Sequence, residues 1–293
     1  MTVLLNRQAK LIVRKTSIPE TGASGGVTEL TLAGERISFS IEKNDESSAN
    51  TAKISIYNLN QNSRAFFSEK ALTVQLFAGY KGLENDEILD VIFNGEVTKV
   101  ATERNGVDIV TTIEAADSLT DVASIFFNAT YKAGNTHRKI IIDIIKRLNV
   151  TYSETAINRL SFSSSKTNSS TVYSDKSSNI LTRLLANEGY KYSIQDGVFE
   201  ITSIKDTNIM QASAVDILII AKETGLLGFP VKTNDGVIFT SLINTKIRPG
   251  SIVNVKSLVL EMDEKFIVKT VKYNGDTHRE NWEITAECLT WTQ

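Results

Sequence analysis

The sequence predicts a mainly β (α+β) protein in which two strand-rich parts flank a small insert of mixed structure. Three observations lead there: roughly the first 125 residues alternate apolar and polar positions in short runs, helical spacing takes over near residue 130, and the last ninety or so residues return to strands.

ERISFSIEK sets Ile37, Phe39 and Ile41 against Arg36, Ser38, Ser40 and Glu42, the period of a strand with one buried face. AKISIYNL repeats it with Ile54 and Ile56 against Lys53, Ser55 and Tyr57. LTVQLFAGY, DVIFNGEVTKV and VDIVTTIEA continue the series, with the turn-like GLEND and ERNG between them. Strands this closely spaced argue for an antiparallel sandwich or a small barrel. NSRAFFSEKAL reads as a short helix on that sheet, with Ser63 as its cap.

NTHRKIIIDIIKRLNV places Ile141, Ile145 and Leu148 on one helical face beside Ile140 and Ile144, with Thr136 as N-cap. Its β-branched isoleucines lower helix propensity, so packing must hold it. The Ser-rich SFSSSKTNSSTVYSDKSS reads as loop with a brief strand. SNILTRLLANEG is a second helix, with Ile180, Leu181, Leu184 and Leu185 inward and Gly189 just past its end. Asp196-Gly197 then joins YKYSIQ to VFEITSI as a hairpin.

ILIIAKE, GVIFTSLI, SIVNVKSLVL, EKFIVKTVKYN and ENWEITAECLTW are the closing strands. An internal echo joins the two strand-rich parts. Residues 92–115 and 266–287 each run from a strand with an early Phe, through a charged turn with Asn-Gly, to a strand ending in Thr, Glu and Ala.

Composition limits function. With 293 residues, 41% of them apolar, the chain can bury a sizeable core and suits two or three domains. Thirty-two basic against thirty-four acidic residues leave a net charge of -2, so no overall field points to nucleic acid or an anionic membrane. Cys288 is the sole cysteine, which excludes an intrachain disulfide and a cysteine metal cage. The apolar run before Asn6, Arg7 and Gln8 is too short for a signal peptide, and no stretch of about 20 apolar residues offers a membrane span. The expectation is a chain folded in a cytoplasm without export.

Catalytic chemistry finds little footing. Of the two histidines, His137 stands with Arg138 and Lys139 at a helix start, a solvated end or a docking point for an acidic partner. His278 lies in the turn NGDTHREN. The acids of ENDEILD (84–90) and EMDE (261–264) read as solvated turns rather than a glycosidase pair. GASGG (22–26) lacks the Lys-Ser/Thr of a phosphate loop, and no Gly-x-Ser-x-Gly elbow occurs. Tyr57, Tyr80, Tyr190, Tyr192 and Trp282 suit sheets and interfaces better than a sugar site. We expect no enzyme, no cofactor and no metal; a β-rich protein that binds or cleaves cell-wall carbohydrate is the alternative from another class.

ISFSIEK, NTAKISIYNLNQNSR, FAGY with VIFNGEV, EAADS, ETGLLGFP, TSLINTKIRPGSIVNV and VKYNGDTHRENWEI, in that order, resemble the central baseplate hub proteins of contractile-tailed bacteriophages. The matching positions are Asn50, Ile54, Ile56, Asn58 and Leu59, then Gly79 and Gly95. They continue with Gly225, Leu226, Gly228, Pro230, Pro249 and Gly250, and close with Gly275, Asp276 and Trp282. The resemblance implies two tube-type antiparallel β-barrels, 1–128 and 207–293, flanking an α+β insert at 129–206. It further implies a homotrimeric, pseudo-sixfold ring between tail tube and spike, in contact with other baseplate proteins. DNA would be a transient occupant of its lumen, and the virion tail its location after assembly in the host cytoplasm. The hub of a phage-derived contractile injection system fits the same motifs.

Overall fold

The computed structural model describes residues 6–16, 27–46, 48–68, 71–81, 87–117, 125–148, 150–152, 157, 165–203 and 217–291. The GASGG stretch and the acids Glu84 and Asp86 lie outside the described residues. The chain divides into two compact units: 1–44, 50–116 and 216–291 make the first, while 45–49, 117–215 and 292–293 make the second.

The first unit opens with β1 (Arg7–Thr16), β2 (Val27–Ala33), β3 (Ile37–Asn44), β4 (Thr51–Tyr57), helix α1 (Gln61–Phe66), β5 (Leu72–Lys81), β6 (Glu87–Asn105) and β7 (Asp108–Ala116). After the second unit it resumes with β13 (Leu218–Ile220), a 3-10 turn (Lys222–Thr224), β14 (Leu226–Lys232), β15 (Gly236–Leu242), β16 (Ile252–Ser257), β17 (Met262–Asp276) and β18 (Trp282–Thr290). These strands form one 13-stranded sheet in the order β14, β15, β18, β17, β3, β4, β7, β6, β5, β1, β2, with β16 on β17 and β13 on β16. Its core takes one face of each strand: Ile37, Ile41, Ile54, Ile56, Ile113, Val237 and Ile284 are fully buried. Each such side chain contributes about 1.5–3 kcal/mol.

The strand order repeats itself. In the first half β3, β4, β7 and β6 lie side by side, with β5 also on β6 and β1 on β5; in the second, β14, β15, β18 and β17 do so, with β16 on β17 and β13 on β16. Both central hairpins carry a bulge at the matching place. Val97 faces Ala115 and Lys99 faces Glu114, leaving Thr98 extra; Val268 faces Cys288 and Thr270 faces Glu287, leaving Lys269 extra. An extra residue bends its strand, which lets β6 pair with β5 over its first half and β7 over its second. The echo read from the sequence is therefore a repeat of strand order, which differs at its far end, where β1 runs antiparallel to β5 but β13 parallel to β16. The halves join where β17 pairs with β3, Asn274 opposite Ser40.

The second unit holds β8 (Phe126–Tyr131), α2 (His137–Leu148), β9 (Thr151–Tyr152), β10 (Thr171–Lys176), α3 (Ser177–Asn187), β11 (Tyr190–Gln195) and β12 (Val198–Ser203). Ile140, Ile141, Ile144, Ile145 and Leu148 pack with Ile180, Leu181, Leu184 and Leu185, all buried as the periodicity predicts. Thr136 Oγ1 accepts from Lys139 N at 3.3 Å, as an N-cap does. Gly189 (φ 82°) follows α3, and Asp196 and Gly197 (φ 53° and 84°) turn the β11–β12 hairpin in the left-handed conformation it demands.

Several expectations are corrected. Asn60, not Ser63, caps α1: its Oδ1 accepts from Ser63 N at 2.9 Å, because Asn60 holds the extended backbone a cap needs. ILIIAKE yields only a three-residue strand before a 3-10 turn, and SIVNVKSLVL ends as a strand at Ser257. Strands β1, β2 and β8 escape the sequence reading. In β1 the alternation is blurred, since Ile12 is buried between Leu11 and Val13.

Candidate functional site

The feature with the widest reach is the face of the first unit's sheet that looks away from the core. Period two sends Ser38, Ser40 and Glu42 of β3 outward, and register lines them up with their neighbours. One row runs Glu283, Asn274, Ser40, Lys53, Glu114, Lys99; the next runs Thr285, Lys272, Glu42, Thr51. Both rows cross the β17–β3 junction.

Hydrogen bonds stitch this face together. Ser40 Oγ donates to Asn274 Oδ1 at 2.9 Å, Ser55 and Thr112 share a hydroxyl bond at 3.1 Å, and Lys272 Nζ meets Glu42 Oε1 at 2.5 Å. Lys99 lies 3.8 Å from Glu114. The lysines are matched by glutamates within the face, so its field is small. A shallow trough of about 490 Å³ lies along it, between Glu42, Lys53, Thr98 and Glu114.

The family-motif positions are spread over the frame of this sheet rather than gathered in one cleft. Asn50 is buried, its Oδ1 accepting from Asn44 N at 2.9 Å. Ile54, Ile56 and Leu59 are core. Asn58 (φ 56°) turns the chain, donating from Nδ2 to Asp108 at 2.8 Å and accepting from Ile109 N at 2.9 Å. A Cβ on Gly79 would stand 1.8 Å from the Ile88 carbonyl oxygen, so only glycine lets β5 and β6 approach. Gly95 faces Val74 in that ladder.

In the second half, Gly225 (φ 104°) ends the 3-10 turn and Leu226 opens β14. Gly228 (φ 66°) and the buried Pro230 lie where β14 slips register against β15. Pro249 is buried, and Gly250 N donates to Val268 O at 2.8 Å. A Cβ on Gly275 would come within 2.3 Å of the Phe39 ring, which packs edge-on against buried Trp282 with centroids 5.5 Å apart. Arg36 grips Asp276 with bonds of 3.1 and 2.7 Å. Burial works to raise the Asp276 carboxyl, but the hydrogen bonds from Arg36 and the His278 N–H outweigh it and hold the pKa below the ordinary range.

The catalytic candidates stay apart. His137 Nδ1 lies 3.7 Å from Glu188, and His278 sits in its turn, its N–H on Asp276 at 2.9 Å. Asp263 is bonded by Asn254 and Lys256, and Glu264 lies 4.0 Å from Lys232. Among the described residues no group of three or more His, Cys, Asp or Glu could hold a metal, and no helix is long and apolar enough to cross a membrane. Cys288 is buried, which pushes its thiol pKa far up.

Comparison with known proteins places the chain. The family model for baseplate hub gp41 matches residues 23–288, and the chain belongs to that family. Its fold is similar to the 43 kDa tail protein of prophage MuSo2 from Shewanella oneidensis (TM-score 0.61, 11% identity, 96% of this chain and 98% of that one). It is equally similar to the tail protein from Neisseria meningitidis MC58 (TM-score 0.61, 8% identity, 97% and 96%). A chain of the Francisella PdpA-VgrG complex is also similar (TM-score 0.60, 9% identity), with 98% of this chain covering 53% of that one. No curated protein matches significantly. The protein is a structural component of the bacteriophage tail baseplate.

Proposed function

We propose that three copies of this chain form the pseudo-sixfold hub ring that joins the tail tube to the central spike and passes DNA through its lumen. On this reading 1–128 and 207–293 are the two tube-type barrels and 129–206 the insert that meets other baseplate proteins; the chain is not an enzyme and is assembled in the host cytoplasm. The observation that carries the reading is the repeated strand order with its two unmatched edges. Strand β3 pairs with both β4 and β17, whereas among the described residues its counterpart β14 pairs with β15 alone. Residues 270–276 of β17 pair with β3, whereas the counterpart segment of β6, residues 99–105, has no partner on that side among the described residues. Joining β6 of one copy to β14 of the next repeats the β17–β3 junction between chains, and head-to-tail repetition closes a ring. Phe229 and Val231 on β14 are 65% and 61% exposed, apolar surface that such a neighbour would cover.

The polar face then supplies the lumen wall. Its self-paired charges and hydroxyls suit a conduit, because a strongly basic wall would retain phosphates. Sedimentation or native mass measurement tests the reading: a trimer, at high concentration or with spike protein added, is expected. A chain that stays monomeric under both conditions rules the ring out. The likeness to a chain of the PdpA-VgrG complex keeps a contractile injection system in view, and neighbouring genes distinguish the two.

A further inference from the structure

We propose that the pocket bounded by the start of β1, the end of β5 and the β17–β18 turn is an oxyanion site, taking a phosphate or carboxylate group of a ligand. The cavity measures about 680 Å³. Arg7, Lys81 and Arg279 line it together with His278, and no carboxylate is among its described lining residues. None of the three permanent cations is in an ion pair with a described residue. Asp276, three residues before Arg279, is ion-paired to Arg36 and feels Arg279 only at longer range, and Glu280, which follows Arg279, forms no ion pair with a described residue. In a chain of net charge -2, three cations left together around one cavity need an explanation.

The walls are also preorganised. Arg7 Nη1 donates to the carbonyls of Arg279 and Glu280 at 2.5 and 2.8 Å, which ties the start of β1 to the turn and leaves Nε and Nη2 for a ligand. Tyr80 lines the same cavity, and burial, opposed by the Arg7 charge, pushes its pKa to about 12, so it remains a neutral donor. The adjoining cavity of about 350 Å³ has the carboxylate of Glu35 in its lining as well as Arg7 and Lys10, and it lacks Lys81 and Arg279. An anion is therefore drawn to the larger cavity. The inference does not rest on ring assembly, since every group belongs to one chain.

Calorimetric titration of sodium phosphate, and separately of glutarate, into the full chain at pH 7 and fixed ionic strength tests it. Saturable binding is expected, weakened at least tenfold in the Lys81→Gln/Arg279→Gln variant. Thermal melting without ligand should be unchanged in that variant, with the single Lys81→Gln and Arg279→Gln changes serving if the pair melts early. Tighter phosphate identifies a phosphoryl source and tighter glutarate a carboxylate source. Absence of saturable heat with both anions, or equal affinity in wild type and variants, overturns the site.

Discussion

Asn50, Asn58 and Asn60 show how a polar residue can matter without touching a ligand. Each amide satisfies backbone that the strand exits would otherwise leave bare, Asn58 while holding a positive φ that most side chains avoid. The sequence marks these asparagines as turn formers, yet it cannot say which one caps the helix, because that depends on where the extended backbone ends. Gly275 is a sharper case, since nothing local requires it: its φ is not in the left-handed region, and its reason lies 236 positions away in the Phe39 ring. Substitution Gly275→Ala forces a methyl group into that ring and should destabilise the first unit by about 1–3 kcal/mol, read as a lowered denaturation midpoint.

At the level of elements, the amphipathic helices and the Asp-Gly hairpin were legible because their signals are local and regular. Strand β14 was visible only as a family motif: Gly228 and Pro230 break its alternation, and its exposed side is apolar. The β17–β3 junction was not legible at all, since pairing between distant strands leaves no periodic trace. Its corner is clamped by Arg36 and Asp276. The folded-state pKa of Asp276 is depressed, so its contribution is complete above the unfolded carboxylate value of about 4 and is lost as pH falls through the folded one. Melting temperature should therefore drop on acidification below about pH 4 more steeply in wild type than in Asp276→Asn. Parallel pH curves would remove Asp276 from the acid response.

For the whole molecule, the repeat converts one observed junction into a register for a second. Aligning the bulges matches Glu103 with Asn274, and the Glu that follows each bulge matches Val231 with Ser40 through their facing partners Ile238 and Lys53. If the ring forms, Glu103→Cys and Val231→Cys on one chain should cross-link between copies under mild oxidation, ending in a closed trimer rather than a ladder. Cross-linking within a single chain, or none in an assembled trimer, would place the subunit contact elsewhere. The sequence conveyed the paired strand-rich halves as a faint echo; the shared order and bulges emerge only from the ladder.

The β17–β3 junction also sets a timetable. Ser40 and Asn274 meet across 234 positions of chain, with residues 45–49 and 117–215 of the second unit translated between them. Contacts that distant close slowly, and during synthesis β3 waits with a bare edge until β17 has left the ribosome. If copies join into the proposed ring, a nascent subunit withholds the continuous wall its neighbours must match, and ring building begins with finished chains.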